Sequence, residues 1–347
     1  MPGFKSRKVI FLTVAAVALI ALLFSFMTID RSEGENRPQL AQPAGDPAFI
    51  QRGRYLANAG NCVSCHTVPG RAEFAGGVRF NTPFGTVFST NITPDRETGI
   101  GRWSAEDFRR AMHEGIAADG SPLFPAFPYT SYTKVSDEDT AAIYAFLRTL
   151  KPVRYTPPNN SFAFWMRWPM RLWNAAFFEP GRYVNDSSRD AQWNRGAYLV
   201  QGLGHCTACH SPRNSAMAEI KERSFEGGVM HDHVENAKDR AWFAVNLTQS
   251  KNGLASWSVD DMTKYLHKGF SPRAGTFGPM NDVIVNSLTK LSEEDARAMA
   301  IYLKSLPGRP YTGQTIPEHQ ANEGAALYEE HCEDCHGKSG RGGLFSA

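Results

Sequence analysis

All six cysteines of this 347-residue chain fall into three pairs of one spacing, each followed at once by histidine: Cys62-Cys65-His66, Cys206-Cys209-His210 and Cys332-Cys335-His336. Two thiols three residues apart on a helical turn can each form a thioether with one vinyl group of a porphyrin. The next residue then turns its imidazole towards the iron, so the pattern reads as three sites of covalent c-type haem attachment. A C-x-x-C pair can also be half of a zinc site, but that needs two pairs gathered into one four-ligand shell. Three pairs, each with its own histidine, favour haem.

An electron-carrying haem iron usually takes a sixth ligand, and a methionine thioether there raises the reduction potential. Met280, in Phe277-Gly278-Pro279-Met280, is the candidate in the second unit, where a loop could pass over the far haem face. Met262 and Met299 sit inside helices at core-like spacing and read as packing residues. In the first unit Met112, His113, Met166 or water remain open as the sixth ligand, and the reading favoured is a first haem without methionine. His205 and His331 directly precede haem cysteines and read as exposed or bonded to backbone. His231, His233, His267 and His319 lack a spaced partner for a separate metal site. No Ser-His-Asp set or phosphate-binding glycine loop stands out, so no catalytic residue is assigned.

The elements that must position these groups repeat along the chain. Arg52-Gly53-Arg54-Tyr55-Leu56, Arg195-Gly196-Ala197-Tyr198-Leu199 and Gly324-Ala325-Ala326-Leu327-Tyr328 each read as a short helix leading into a motif. Asn91-Ile92-Thr93 then Trp103-Ser104 recur as Asn246-Leu247-Thr248 then Trp257-Ser258. Ser104 with Asp107 and Ser258 with Asp261 predict capping boxes, with helices running to Gly115 and Gly269. Ser136 with Asp139 and Ser292 with Asp295 read as two more such starts, opening closing helices over Thr140–Leu150 and Ala296–Leu306 that each show one apolar face. Lys151-Pro152 and Pro307-Gly308 end them.

The fold expected is all-α: units at 46–150 and 190–306, and the start of a third, truncated unit at 318–347. Residues 30–45 and 307–317 read as linkers, and 151–189 as an aromatic-rich strap between units. Only eleven residues follow His336, so the chain reads as a piece of a longer protein. Lys plus Arg total 37 and Asp plus Glu 35, which leaves no basic field for a nucleic-acid partner. Lys5, Arg7 and Lys8 precede an apolar run from Val9 to Met27, so residues 1–29 read as a signal anchor, with a cleaved signal peptide as the alternative. Either directs the remainder out of the cytoplasm.

The three motifs in this order, with Thr82-Pro83-Phe84-Gly85, Ser89 to Pro94, Tyr129 to Lys134 and Gly278-Pro279-Met280, resemble the triheme cytochrome c subunit of membrane-bound bacterial alcohol dehydrogenases and its gluconate, sorbitol and fructose dehydrogenase relatives. The resemblance runs from about Asp46 to the end. It implies tandem class I cytochrome c domains, two complete and one truncated, with haem c as cofactor. It also implies a large dehydrogenase subunit of pyrroloquinoline quinone, flavin or molybdenum type as partner, and electron delivery to ubiquinone on the periplasmic side of the cytoplasmic membrane. The family usually places a methionine in a Pro-Ala-Met-Pro-Tyr loop, and here the sequence reads Pro125-Ala126-Phe127-Pro128-Tyr129. A multihaem peroxidase with an open iron and a freestanding periplasmic carrier are the alternative expectations.

Overall fold

The computed structural model describes residues 45–161, 168–232, 240–310 and 316–338. Its first unit runs α1 (Pro47–Ala59), α2 (Cys62–His66), β1 (Arg79–Thr82), β2 (Gly85–Phe88), α3 (Ala105–Glu114), α4 (Tyr129–Tyr132) and α5 (Asp137–Arg148). Helix α6 (Trp168–Phe177) follows in the strap. The second unit runs α7 (Ala191–Tyr198), a π turn (Leu199–Leu203), α8 (Thr207–His210), β3 (Gly228–Asp232), β4 (Arg240–Ala244), α9 (Val259–Lys268), β5 (Phe270–Ser271), β6 (Ala274–Gly275), α10 (Pro279–Asn286) and α11 (Glu293–Ser305). Helices α12 (Glu318–His331) and α13 (Glu333–His336) carry the third motif.

The all-α expectation is wrong. Among the described residues, β1–β2, β3–β4 and β5–β6 form three antiparallel two-stranded sheets, with Phe80 opposite Val87 and Val229 opposite Phe243. Strands of two to five residues closed by tight turns carry too few alternations to reveal a period of two. The apolar run 9–27, expected as an N-terminal span, lies outside the described residues. No helix among those described is long and apolar enough to cross a membrane.

In each unit the leading helix crosses the closing helix at a glycine. A Cβ on Gly53 would sit 1.9 Å from the Ala142 carbonyl oxygen, and one on Gly196 would sit 1.9 Å from that of Ala298. Because the obstacle is backbone, the helices themselves would have to part. Gly196→Ala is therefore expected to destabilise the second unit by ~1–3 kcal/mol or more, read as a lower denaturation midpoint.

Both mid-unit helices start in full capping boxes. Ser104 Oγ accepts from Asp107 N (3.0 Å) while Asp107 Oδ2 accepts from Ser104 N (2.9 Å), and Ser258 with Asp261 does the same. Each helix ends at a left-handed glycine, Gly115 or Gly269. The closing helices begin a turn earlier than expected, and their caps are only half formed. Ser136 and Ser292 still accept the N3 amide, at 3.1 Å each, but Asp139 and Asp295 turn elsewhere.

Asp139 takes Arg52 Nε at 2.8 Å from its own unit and the Tyr198 hydroxyl at 2.6 Å from the other unit. Asp295 takes Arg195 Nε at 2.8 Å and the Tyr55 hydroxyl at 2.5 Å. The two arrangements are reciprocal, so the repeat in sequence becomes a pseudo-two-fold pairing in space. Both carboxylates are buried, and a buried charge requires such partners.

The strap bonds to both units. Asn91 Nδ2 donates to the Val153 carbonyl, Tyr129 OH donates to Asn174 Oδ1, and Trp173 Nε1 donates to the Ala216 carbonyl.

Candidate haem-attachment sites

Each of the first two motifs lies on a short helix delivered by the helix before it. From Leu56 to Cys62 is six positions, and from Leu199 to Cys206 is seven. The additional residue is absorbed by the π turn, which widens the helix locally so that Cys206 still emerges where it is needed.

Whether haem fits is decided at the histidines. His66 Nδ1 donates to the Thr90 carbonyl at 2.6 Å and His210 Nδ1 to the Val245 carbonyl at 2.7 Å. Those bonds fix the tautomer and leave each Nε2 lone pair for iron, as an axial imidazole requires. Burial pulls both imidazoles below their ordinary value, with the carbonyl bonds partly opposing it, so both are neutral at pH 7. Burial likewise pushes the Cys62 thiol up to about 12 and Cys65 to about 11, with the neighbouring cysteine thiols adding to the rise. Thiols held neutral in this way make poor dithiol redox centres. Cys65 is near enough to feel Cys209, yet among the described residues no group of three His, Cys, Asp or Glu side chains is placed to hold a metal ion. None of the six cysteines is in a disulfide.

The accepting carbonyls precede the repeated Asn-x-Thr turns. Asn91 Oδ1 accepts from Thr93 N and Oγ1 at 2.9 and 2.7 Å, and Asn246 Oδ1 accepts from Thr248 N and Oγ1 at 2.8 and 2.7 Å. Each turn is thereby locked, and with it the carbonyl that orients the histidine. Behind the motifs, Gly76 N donates to the His66 carbonyl and Gly227 N to that of His210. A Cβ on Gly228 would lie 2.3 Å from the Cys209 carbonyl oxygen, so the hairpin β3–β4 can pack on α8 only through glycine.

Met280 is the second residue of α10, half-buried against the core and not in an open loop. Gly278, with φ +57°, and Pro279 set the start of that helix. Met262 and Met299 are core residues. In the first unit Met112 is also core. His113 is engaged elsewhere, with Nε2 2.7 Å from Thr140 Oγ1 and Nδ1 3.4 Å from Asp137 Oδ1, short of hydrogen-bonding geometry. Phe127 is half-buried, with its ring edge-on to Tyr132 at 5.4 Å between centroids. Met166 lies outside the described residues. In the third motif Cys332, Cys335 and His336 are exposed, and α12 buries no residue.

Burial pulls His113 below 6.5, with Asp137 partly opposing it. The unfolded chain thus accepts a proton that the folded chain resists. The stabilisation is complete above the unfolded value and is lost as pH falls through the lowered folded one. Between about pH 7 and about pH 5 the denaturation midpoint is expected to fall, and to fall less in His113→Gln, which cannot take the charge.

The family described as Cytochrome c matches residues 50–151. The chain is 40% identical over 321 residues to the gluconate 2-dehydrogenase cytochrome c subunit of Pantoea cypripedii, covering 87% of this chain and 72% of that one. It belongs to the cytochrome c subunits of dehydrogenases. Such subunits carry electrons and do not themselves transform the substrate. It is also 47% identical over 298 residues to a nicotinate dehydrogenase subunit of Pseudomonas putida, covering 83% of this chain and 24% of that one. To the cytochrome c subunit of the quinone alcohol dehydrogenase of Gluconobacter oxydans it is 39% identical over 315 residues, covering 86% and 65%. The chain thus spans about a quarter of one of these relatives and about two thirds of another. As a cytochrome c it takes haem c, which supplies a one-electron iron centre when bound, and the first two motifs have the residues to hold it.

Proposed function

We propose that this chain relays electrons singly from a large dehydrogenase subunit to membrane ubiquinone, on the periplasmic side of the bacterial cytoplasmic membrane. The partner subunit, of pyrroloquinoline quinone, flavin or molybdenum type, oxidises an alcohol, sugar or aldehyde. The observation that carries this reading is the pair of attachment motifs in two paired units, each with its histidine oriented by a backbone carbonyl. Two one-electron centres in paired units make a relay. The names of the relatives, gluconate 2-dehydrogenase and a quinone alcohol dehydrogenase among them, support a dehydrogenase donor and a quinone acceptor.

Within this reading Cys62 and Cys65, Cys206 and Cys209, and Cys332 and Cys335 hold three haems. His66, His210 and His336 are axial ligands, and Met280 is the sixth ligand of the second. Purification from membranes tests the proposal: a large dehydrogenase subunit should co-purify, and its substrate should reduce first the haems and then added ubiquinone. Purification without a large subunit favours a freestanding carrier. Turnover of hydrogen peroxide by the chain alone favours a peroxidase.

A further inference from the structure

In α3 and α9 the amide of the capping serine donates directly to the aspartate three residues on, at 2.9 and 3.2 Å. In α5 and α11 a tyrosine hydroxyl from the opposite unit stands inside that bond. Ser292 N donates to Tyr55 OH at 3.1 Å, and Tyr55 OH donates to Asp295 Oδ2 at 2.5 Å. Ser136 N donates to Tyr198 OH at 3.2 Å, and Tyr198 OH donates to Asp139 Oδ2 at 2.6 Å. Each closing helix thus has its cap completed by the leading helix of the other unit.

The same leading helices also hold their own closing helices. Arg52 and Tyr55 lie three residues apart on α1, so one face of that helix bonds Asp139 of its own unit and Asp295 of the other. Arg195 and Tyr198 do the reverse from α7. The remaining contact between the units is apolar, joining Leu56 and Val135 to Leu199 and Leu203. Apolar burial is non-directional and tolerates sliding, whereas a hydrogen bond to a buried carboxylate is short, strong and fixed in geometry. The two hydroxyls therefore select one register of the units out of those that the packing allows.

The attachment motifs lie where that register matters. Tyr55 stands seven residues before Cys62 and Tyr198 eight before Cys206, on the helices that deliver them. Asn286 Nδ2 of the second unit donates to Ser64 Oγ, inside the first motif, at 3.0 Å. The ring of Tyr132, whose OH donates to the Gly60 carbonyl, meets His205 edge-on at 5.6 Å between centroids, one residue before Cys206. Electron tunnelling weakens steeply with separation and depends on the mutual orientation of donor and acceptor. We infer that Tyr55 and Tyr198 are positioning residues for electron transfer between the first and second haem sites, their hydroxyls holding the two units in one register. The inference rests on reading these two motifs as haem sites. One electron leaves ferrous iron on the His66 side, which becomes ferric, and reduces ferric iron on the His210 side. No bond forms or breaks, and neither hydroxyl gives up its proton.

The test uses the full haem-loaded chain with Tyr55→Phe, Tyr198→Phe or both, and Ser136→Ala for comparison. Phenylalanine keeps the ring and removes the hydroxyl. Ser136→Ala takes a cap from α5 but leaves Tyr198 bonded to Asp139, so it weakens a helix without freeing the units. Covalent haem content, spectra, potentials and the denaturation midpoint are measured first. A laser flash then delivers one electron per molecule, and its redistribution between the first two haems is followed optically. The expected result is redistribution slowed by about threefold in each tyrosine variant and about tenfold in the double variant, at unchanged haem content and potentials. Ser136→Ala should lower the midpoint and keep the wild-type rate. A wild-type rate in the double variant, a slowing that shifted potentials account for, an equal slowing in Ser136→Ala, or loss of covalent haem from the double variant would overturn the inference. Absence of covalent haem from both motifs of the unaltered chain would instead overturn the reading on which it rests.

Discussion

Cys206→Ala combined with Cys209→Ala is expected to remove covalent haem from the second unit and leave the first loaded. Thioether attachment needs the two sulfurs and a vinyl group on each, so without either cysteine only the His210 side of the iron holds the group. The first unit keeps Cys62, Cys65 and a histidine locked to Thr90, none of which depends on the second motif. Leu56, Ile143 and Leu147 of its own helices are buried behind that motif. The units meet through hydrogen bonds and through apolar packing that joins Leu56 and Val135 to Leu199 and Leu203, but the cysteines and the histidine that would hold the first haem lie within the first unit. Haem staining and the mass of the intact chain read the result: one motif's haem is lost and the first motif's is retained. Unchanged covalent haem content would refute the assignment of these cysteines.

The second large effect is expected at Phe127. The described part of the first unit commits Met112 to the core and His113 to Thr140, and phenylalanine cannot bind iron. The first haem is therefore expected to lack methionine ligation and to have the lower potential of the two, which suits it to receive electrons first. Phe127→Met should create a methionine–iron charge-transfer band. It should also raise the potential by on the order of 0.1 V, a modest part of the ~0.8 V over which axial ligation tunes haem. The measurement is made on the full chain with alanine at Cys206, Cys209, Cys332 and Cys335, so that every haem signal comes from the first motif. A methionine–iron band in that protein before Phe127 is changed would sink the idea and would mean that a methionine from elsewhere in the chain, Met166 included, reaches the iron.

What could be read from sequence depended on how local the determining contacts are. The haem motifs, both capping boxes and the terminal glycines of α3 and α9 are each set by residues within a few positions, and all were legible. The hairpins were not, because their strands are too short to show a period. Asp139 and Asp295 followed the capping pattern in sequence, but arginine and the tyrosine of the opposite unit hold their carboxylates, contacts that span 59 to 240 positions. The carbonyls of Thr90 and Val245 leave no side-chain signature, although the Asn-x-Thr repeat immediately after each marks the turn that presents them. Counting seven positions from Leu199 to Cys206 against six from Leu56 to Cys62 was the available sign of the π turn.

The most direct test of the account is proteolytic mapping of the intact chain, made in a bacterium able to attach haem c and analysed by mass spectrometry. The expected result is haem mass on the peptide containing Cys62 and Cys65 and on the one containing Cys206 and Cys209, with neither pair open to alkylation. Peptides that carry no haem, with both cysteine pairs free to alkylate or bound to zinc, would contradict it.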